Sequence, residues 1–386
     1  MNLRDTTAIA GIGYTELSKD SGRSTRTLAC QAIRSAIADA GLTVADIDGI
    51  ATHQVNDCAP LGDVVAELGL RNLTWFAEEL GGGGKAPAVV AQAALAVAAG
   101  AARCVVVFRA LNGRTGLRMG GSGVDRPIRS ADLEFQRPYG MIAPAQNYAL
   151  GARMHMNRYG TTAEQLGAVA VTQRAHAVHN PRALMRTPID LDDYLGSRWI
   201  TEPLRLLDCC LETDGACALV VTSADRAADL RRPVVTLTGW AWGIGMNDFS
   251  NSDADLTTTP ARLVARQLFE RTGLGPTDID VAELYDAFSI SVLLQLEDYG
   301  FCQRGEAGPF VASGATGLGG SIPVNTHGGF LSEGYIHGLN HVCEAVAQLR
   351  GEAGERQVPA ARVALSTAQP GYINGVSSAL LLTGQP

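Results

Sequence analysis

Two features of the sequence carry residue types that could do chemistry. The first is Gly81–Gly84, a run of four glycines followed at once by Lys85. Bare backbone at the start of a helix lets N–H groups approach an anion. The GK[ST] pattern of a P-loop is missing, however, so a nucleotide cradle is not supported. Lysine occurs only at Lys19 and Lys85. Lys85 is therefore the candidate for a Schiff-base lysine, which would give class-I aldolase chemistry. The second feature is a set of eight cysteines, at 30, 58, 104, 209, 210, 217, 302 and 343, with no CxxC pair. That spacing does not support a zinc site. Most of these cysteines lie in apolar stretches, where a reduced thiol behaves as a small hydrophobe.

The elements that must position such residues follow from periodicity. Short apolar runs at 6–13, 48–52, 73–77, 104–109 and 216–222 have the pattern of buried strands. Helical spacing over 24–40 stops at Gly41, and a small-residue helix covers 85–99. Alternating strand and helix argue for a layered α/β fold. Residues 110–203 break the rhythm with helical patterns at 143–159 and 163–179, which predicts a helical insertion or cap. A charged connector at 230–232 then precedes a second pass. It has strands at 234–242, 279–284, 362–366 and 378–382, and helices at 260–272, 290–299 and 334–349. The expected organisation is two related halves, 1–230 and 231–386, the first carrying the insertion.

Composition narrows the function classes. A hydrophobic fraction of 46% with 18% charged residues is that of a packed globular protein. The net charge of -8 with no basic patch argues against a nucleic-acid partner. The longest apolar stretch, 86–100, is shorter than the roughly 20 residues a membrane span needs. The opening residues carry no signal-peptide pattern. A soluble, cytoplasmic protein is expected.

Several segments, in order, resemble landmarks of the thiolase superfamily, above all its lipid-transfer-protein and sterol-carrier-protein X branch. Pro203–Cys210 followed by Asp214-Gly215-Ala216 is similar to the PL…LLDCC…DGA stretch of that group. Glu283–Phe288 sits where the family has its N-E-A-F or H-D-C-F motif. Gly328–Gly338 sits where the family reads GG…GHPxGATG. Gln348–Gly351 resembles its QLRG, and Gln369–Gly375 its C-terminal active-site loop. The resemblance implies a thiolase fold, two βαβαβαββ halves packed as an αβαβα core, and a homodimer formed through the first-half sheet.

Departures from the family pattern redirect the chemistry. The nucleophilic cysteine that opens a first-half helix is replaced by Gly81–Gly84, and the C-terminal loop has no cysteine. Without an activatable thiol at either place, acyl transfer through a cysteine in the family's own positions is excluded. Tyr285 and Tyr335 stand where the family has Asn or His and the GHP histidine. This pattern resembles the bacterial steroid side-chain-cleaving aldolases. It implies retro-aldol cleavage of a β-hydroxyacyl-CoA to a ring ketone and propionyl-CoA, and a partner protein with an OB-fold and a zinc ribbon.

Such a reaction needs a base for the β-hydroxyl proton and donors for the thioester oxygen as it becomes an enolate. A tyrosine hydroxyl can donate to an oxyanion or accept a proton. Tyr335 is the expected base or relay and Tyr285 the oxyanion donor, with the roles exchangeable. Asp286 could orient a neighbouring donor or be a structural carboxylate. His337 could tune Tyr335, bind CoA or be structural. His327 could line the same loop. Gly371 and Gly375 could offer backbone N–H groups to the thioester, or serve turn geometry alone. Gly82 and Gly83 could make room for a bulky ring system. No cofactor is expected, coenzyme A entering as part of the substrate. Two other readings remain open: a non-catalytic acyl-CoA or sterol-binding module, and a thiolase using Cys343 or Cys209.

Overall fold

A computed structural model describes residues 3–116, 118, 137–245, 255–369 and 375–384. Among the described residues, nine strands form one continuous hydrogen-bonded order that runs through both portions of the molecule. The strands are β1 (Thr7–Tyr14), β2 (Gly49–Gln54), β3 (Trp75–Leu80), β4 (Cys104–Asn112), β7 (Asp214–Ser223), β8 (Val235–Ile244), β9 (Val281–Glu283), β10 (Val363–Ala368) and β11 (Val376–Gly384). The order is β3-β2-β4-β7-β1-β8-β11-β10-β9, so the two halves meet where β1 pairs antiparallel with β8. A small hairpin, β5 (Trp199–Thr201) with β6 (Leu204–Arg205), lies apart from it.

Alternation along the strands builds the layers, because successive residues point to opposite faces. On β7, Ala216, Ala218 and Val220 face α1 (Thr25–Asp39) and α2 (Leu61–Leu68). Cys217, Leu219 and Val221 face the opposite way, toward α3 (Ala86–Ala98). On β11, Leu380 and Leu382 join that same central cluster, while Ala379 and Leu381 face the other side with Val264 and Leu268. Both faces of the inner strands are covered, which explains their continuous apolar runs.

The central layer is α3 with the helix Leu339–Leu349, and α3 touches strands of both halves. Its alanines at 91, 93 and 94 are fully buried, and such small residues let one helix sit close to two sheet faces. The result is the expected αβαβα stack. The helices Ala261–Thr272 and Ser289–Asp298 cover the second half's outer face. The inserted helices Pro144–Tyr159 and Ala163–Val178 pack over the second half, the latter on Ala307–Ala312 and Gly329–Ser332.

Most strands and helices start and end within a few residues of the bounds that periodicity predicts, and two of the shifts lie beside the site. The third strand spans Trp75–Leu80 rather than 73–77. The helix expected over 334–349 begins only at Leu339, because Gly334, His337 and Gly338 all have positive φ. Those angles break the helix and turn Tyr335 out of it.

Candidate active site

Of the residues singled out from the sequence, Gly82, Gly83, Tyr285, Tyr335 and His337 lie together just beyond the carboxyl ends of β3 and β9, the usual place for a ligand in an open α/β sheet. Tyr285 lies two residues past the end of β9. Its backbone N–H donates to Thr367 Oγ1 at 3.0 Å, and its carbonyl accepts from Ser291 Oγ at 2.9 Å and Gln295 Nε2 at 2.6 Å. Tyr335 lies in the loop before Leu339, with its N–H on Thr213 Oγ1 at 3.0 Å. Both rings meet Phe330 edge-on at 4.8 Å. The two phenol oxygens are 2.7 Å apart, a direct hydrogen bond.

Gly83 explains how Tyr285 fits. A Cβ at Gly83 would lie 1.8 Å from Tyr285 Oη and 2.7 Å from the Gln369 carbonyl oxygen. Any larger residue at 83 and the phenol at 285 therefore exclude each other. At Gly82 a Cβ would meet only the His337 ring, at 3.8 Å. Gly82 thus borders space that His337 faces. Gly375 is at φ 156° and its carbonyl accepts from Gly245 N–H at 3.0 Å. Gly371 lies outside the described residues.

Burial drives the pKa of Tyr285 well above the ordinary phenol value, and neighbouring Tyr335 adds to it. Burial does the same to Tyr335, reinforced by Cys210 and opposed by the bond from Tyr285 and the charge of Arg109. Both phenols are therefore protonated at neutral pH. The Cys210 thiol is pushed up to about 12 by burial and by Asp286, so it is no thiolate. Cys209, on the adjacent extended residue, donates to the Arg205 carbonyl at 3.4 Å, and its pKa too is raised well by burial. Cys343 is fully buried beside the Ala218 carbonyl.

Other candidates have defined places. Asp286 Oδ1 accepts from His341 Nε2 at 3.0 Å and Oδ2 from Leu331 N–H at 3.2 Å. Its carboxylate thus ties the 329–331 turn to the core. His327 is fully buried, with Nδ1 2.9 Å from Glu283 and Nε2 3.5 Å from Glu333. Both ring nitrogens face carboxylates, which takes His327 out of the tyrosine chamber. Lys85 pairs with Glu79 at 3.3 Å. His337 stacks edge-on to Tyr335 at 4.8 Å and accepts at Nδ1 from Arg109 Nη2 at 2.7 Å.

Sequence patterns alone do not reveal Arg109, Asp57 and His53. Arg109 is fully buried and its Nη2 lies 2.5 Å from Asp57 Oδ2. An arginine closing an apolar strand run was the available signal, because such a charge must find buried partners. Nothing local marks Asp57 or His53.

Comparison with known proteins places this polypeptide. Residues 246–383 match the model of the thiolase C-terminal domain-like family. The chain is 47% identical to the steroid side-chain-cleaving aldolase of Thermomonospora curvata, over 89% of this chain and 90% of that protein. It belongs to the family of steroid side-chain-cleaving aldolases. It is 45% identical to the 17-hydroxy-3-oxo-4-pregnene-20-carboxyl-CoA lyase of Mycobacterium tuberculosis, over 89% and 91% of the two proteins. Among solved structures it matches an Ltp2-ChsH2(DUF35) aldolase with a TM-score of 0.92, 44% identity and 100% and 99% coverage. Human mitochondrial 3-ketoacyl-CoA thiolase shares the fold at a TM-score of 0.73 and 13% identity. On this shared fold, Gly83, Tyr285 and Tyr335 lie together, the Tyr285 phenol, bonded to that of Tyr335, filling the space that a side chain at 83 would take.

Proposed function

We propose that the protein is a lyase acting on a steroid β-hydroxyacyl-CoA, breaking the carbon–carbon bond that joins the acyl group to the ring and giving a ring ketone and propionyl-CoA. The observation that carries this reading is the pair of neutral phenols, 2.7 Å apart in the space Gly83 leaves open. Retro-aldol cleavage needs no net proton. The proton lost by the β-hydroxyl equals the one finally gained by the α-carbon of the acyl product. Two protonated phenols suit such a relay better than a lone phenolate base would.

In the proposed step, the β-hydroxyl gives its proton to Tyr335 Oη, which passes its own to Tyr285 Oη. Tyr285 in turn protonates the thioester oxygen. The alkoxide electrons form the ring carbonyl, and the electrons of the broken carbon–carbon bond form the enol of propionyl-CoA. Tautomerisation then moves the proton to carbon. Donation to the thioester oxygen as charge develops there is the main electrostatic contribution. The protonated thiol of Cys210 forms no acyl-enzyme in this scheme.

Two partners belong to the proposal. A homodimer through the first-half sheet fits β3, the outer strand, on which Phe76 and Leu80 are 69% and 75% exposed. An OB-fold and zinc-ribbon protein would dock on the helical insertion, where Trp199, Ile200 and Leu150 are exposed. The name of the matched aldolase structure supports a second protein. No resident cofactor enters the scheme. No described helix is long and apolar enough to cross a membrane.

The test is an assay of the purified protein, with and without a DUF35-type partner, on the CoA thioester of a 17-hydroxy steroid acid. Equal release of ketone and propionyl-CoA is expected. Tight binding of the thioester with no product, in the presence of the partner, would return the protein to a non-catalytic acyl-CoA or sterol-binding module.

A further inference from the structure

His337 is held by a series of buried charges that the relay does not use. Arg109 is fully buried within β4, three residues before its end, and spends its donors on three acceptors. Nη1 donates to the Ala110 carbonyl at 3.1 Å, and Nη2 to Asp57 Oδ2 at 2.5 Å. Nε and Nη2 both approach His337 Nδ1, at 3.2 and 2.7 Å. A guanidinium can only donate, and Asp57 Oδ2, 3.9 Å from Nδ1, is too far to accept from it, so Nδ1 is an acceptor and carries no proton. The ring is then neutral with its proton on Nε2, the atom that lies beside Gly82. An imidazolium would set two donors against each other. The backbone of His337 is at φ 49°, a conformation non-glycine residues adopt at a cost, which the Arg109 contact helps to hold.

We propose that Asp57 and Arg109 are positioning residues that fix His337 as the Nε2–H tautomer, making it a neutral donor to the thioester oxygen alongside Tyr285. This rests on the lyase reading for the identity of the acceptor, but the tautomer itself does not. His53 supplies a contrast on the same wall, with its ring 6.0 Å from that of His337. Its Nδ1 lies 3.3 Å from the Gly81 carbonyl, which only accepts, so Nδ1 donates and Nε2 is a lone pair. The two rings thus present opposite polarities, each set by a fixed neighbour. Asp57 matters because it neutralises Arg109, whose charge would otherwise stand alone beside Tyr335 and His53.

The chemical logic is that a neutral N–H steadies the thioester oxygen as charge develops there, while Tyr285 delivers the proton and the imidazole keeps its own.

The first measurement is nitrogen NMR of the protein with labelled histidine, in complex with its partner, the His337 signals being identified by their loss in His337→Gln. The Nε2–H tautomer is expected across about pH 6–8. An Nδ1–H tautomer or a titrating imidazolium in that range would overturn the proposal, whatever the activity. The second compares His337→Gln, which keeps a donor, with His337→Leu, which does not. On the steroid CoA thioester, His337→Leu should lose about 100-fold in kcat with KM little changed, the usual cost of an oxyanion donor. His337→Gln should retain activity within about tenfold. Equal loss in both folded variants would contradict the donor role. Arg109→Lys keeps the charge opposite Asp57 but loses the fork. It should shift the tautomer signal and lower kcat in wild type, yet add nothing in the His337→Gln background. Additive losses would mean a merely structural arginine. If wild type shows no lyase activity but His337 is the Nε2–H tautomer, the functional reading fails and the tautomer assignment stands.

Discussion

The loop and helix from Asn325 to Glu344 serve two buried polar regions with opposite characters. Around Tyr335 the groups are neutral hydroxyls, a protonated thiol and a neutral imidazole, with one compensated arginine behind them. Around His327 the groups are fully charged. Glu344 accepts from Arg356 at 2.9 Å and from Thr326 Oγ1 at 2.9 Å, and Glu283 and Glu333 flank His327. Asn340 joins them by donating to Glu333 at 2.9 Å. The first region keeps hydroxyls whose protons can move. The second sets three carboxylates, Glu283, Glu333 and Glu344, against His327, Arg356 and Arg182, which lies 3.6 Å from both Glu333 and Glu344, and this fixes the loop carrying Tyr335. Buried charge of the second kind stabilises a structure only while every partner is present. Buried neutral hydroxyls of the first kind cost little to hold and remain able to react.

The contrast gives variants that separate reactivity from stability. Gly83→Ala sets a methyl into the position of Tyr285 Oη, so the phenol pair must separate. Activity should fall at least about 100-fold, with a stability loss of about 1–3 kcal/mol from overpacking. Steady-state kinetics with a urea titration reads both, and near-normal turnover would break the exclusion between residues 83 and 285. Glu344→Gln should do the reverse. It leaves Arg356 and His327 short of a partner and should cost about 3–5 kcal/mol, while activity per folded molecule stays near wild type. Severe catalytic loss in folded Glu344→Gln would mean that the two regions are not separate.

The pH dependence sharpens the same division. Burial alone would lower the pKa of His327, but Glu333 and Glu283 outweigh it and lift the value from 6.5 to about 9. Its contribution to stability is therefore complete below pH 6.5 and lost as the pH rises through about 9. Burial alone would raise Glu344, but Arg356 and His327 outweigh it and lower the value from 4.5 to about 2. That contribution is present above pH 4.5 and lost as the pH falls through about 2. Urea midpoints should drop by an amount worth on the order of 2–3 kcal/mol between neutral pH and pH 9.5, and His327→Gln should flatten the slope. An unchanged midpoint in wild type would show that His327 is not a cation in the folded state. The smallest effect is expected at Cys210. Cys210→Ser should change kcat by no more than about threefold, and iodoacetamide should not inactivate the folded enzyme, since a protonated thiol is a poor nucleophile. Stoichiometric inactivation at Cys210 would restore a thiol mechanism.

Much of the frame could be read from apolar periodicity, because strands covered on both faces write long hydrophobic runs. β4 and β7 are the clearest cases. The start of the helix at Leu339 was not legible, since helical spacing continues through Gly334–Gly338 while the backbone there turns to positive φ. The helix Leu61–Leu68 was missed because its eight residues give periodicity little length to register. Within the site, the tyrosines and glycines stood out because they replace residue types a related chemistry requires. His327 was placed near the reacting groups by its neighbours in sequence, but its ring turns to Glu283 and Glu333. Asp57, Arg109 and His337 come from three distant elements, and only the sheet order brings them together. No spacing rule joins residues so far apart in the sequence.

The most direct test of the phenol relay is to replace each tyrosine by phenylalanine and measure substrate binding and single-turnover cleavage in the partner-bound enzyme. Tyr335→Phe and Tyr285→Phe should each bind the steroid CoA thioester within a few-fold of wild type while releasing propionyl-CoA about 100- to 10,000-fold more slowly. Cleavage at the wild-type rate in either variant would contradict the account.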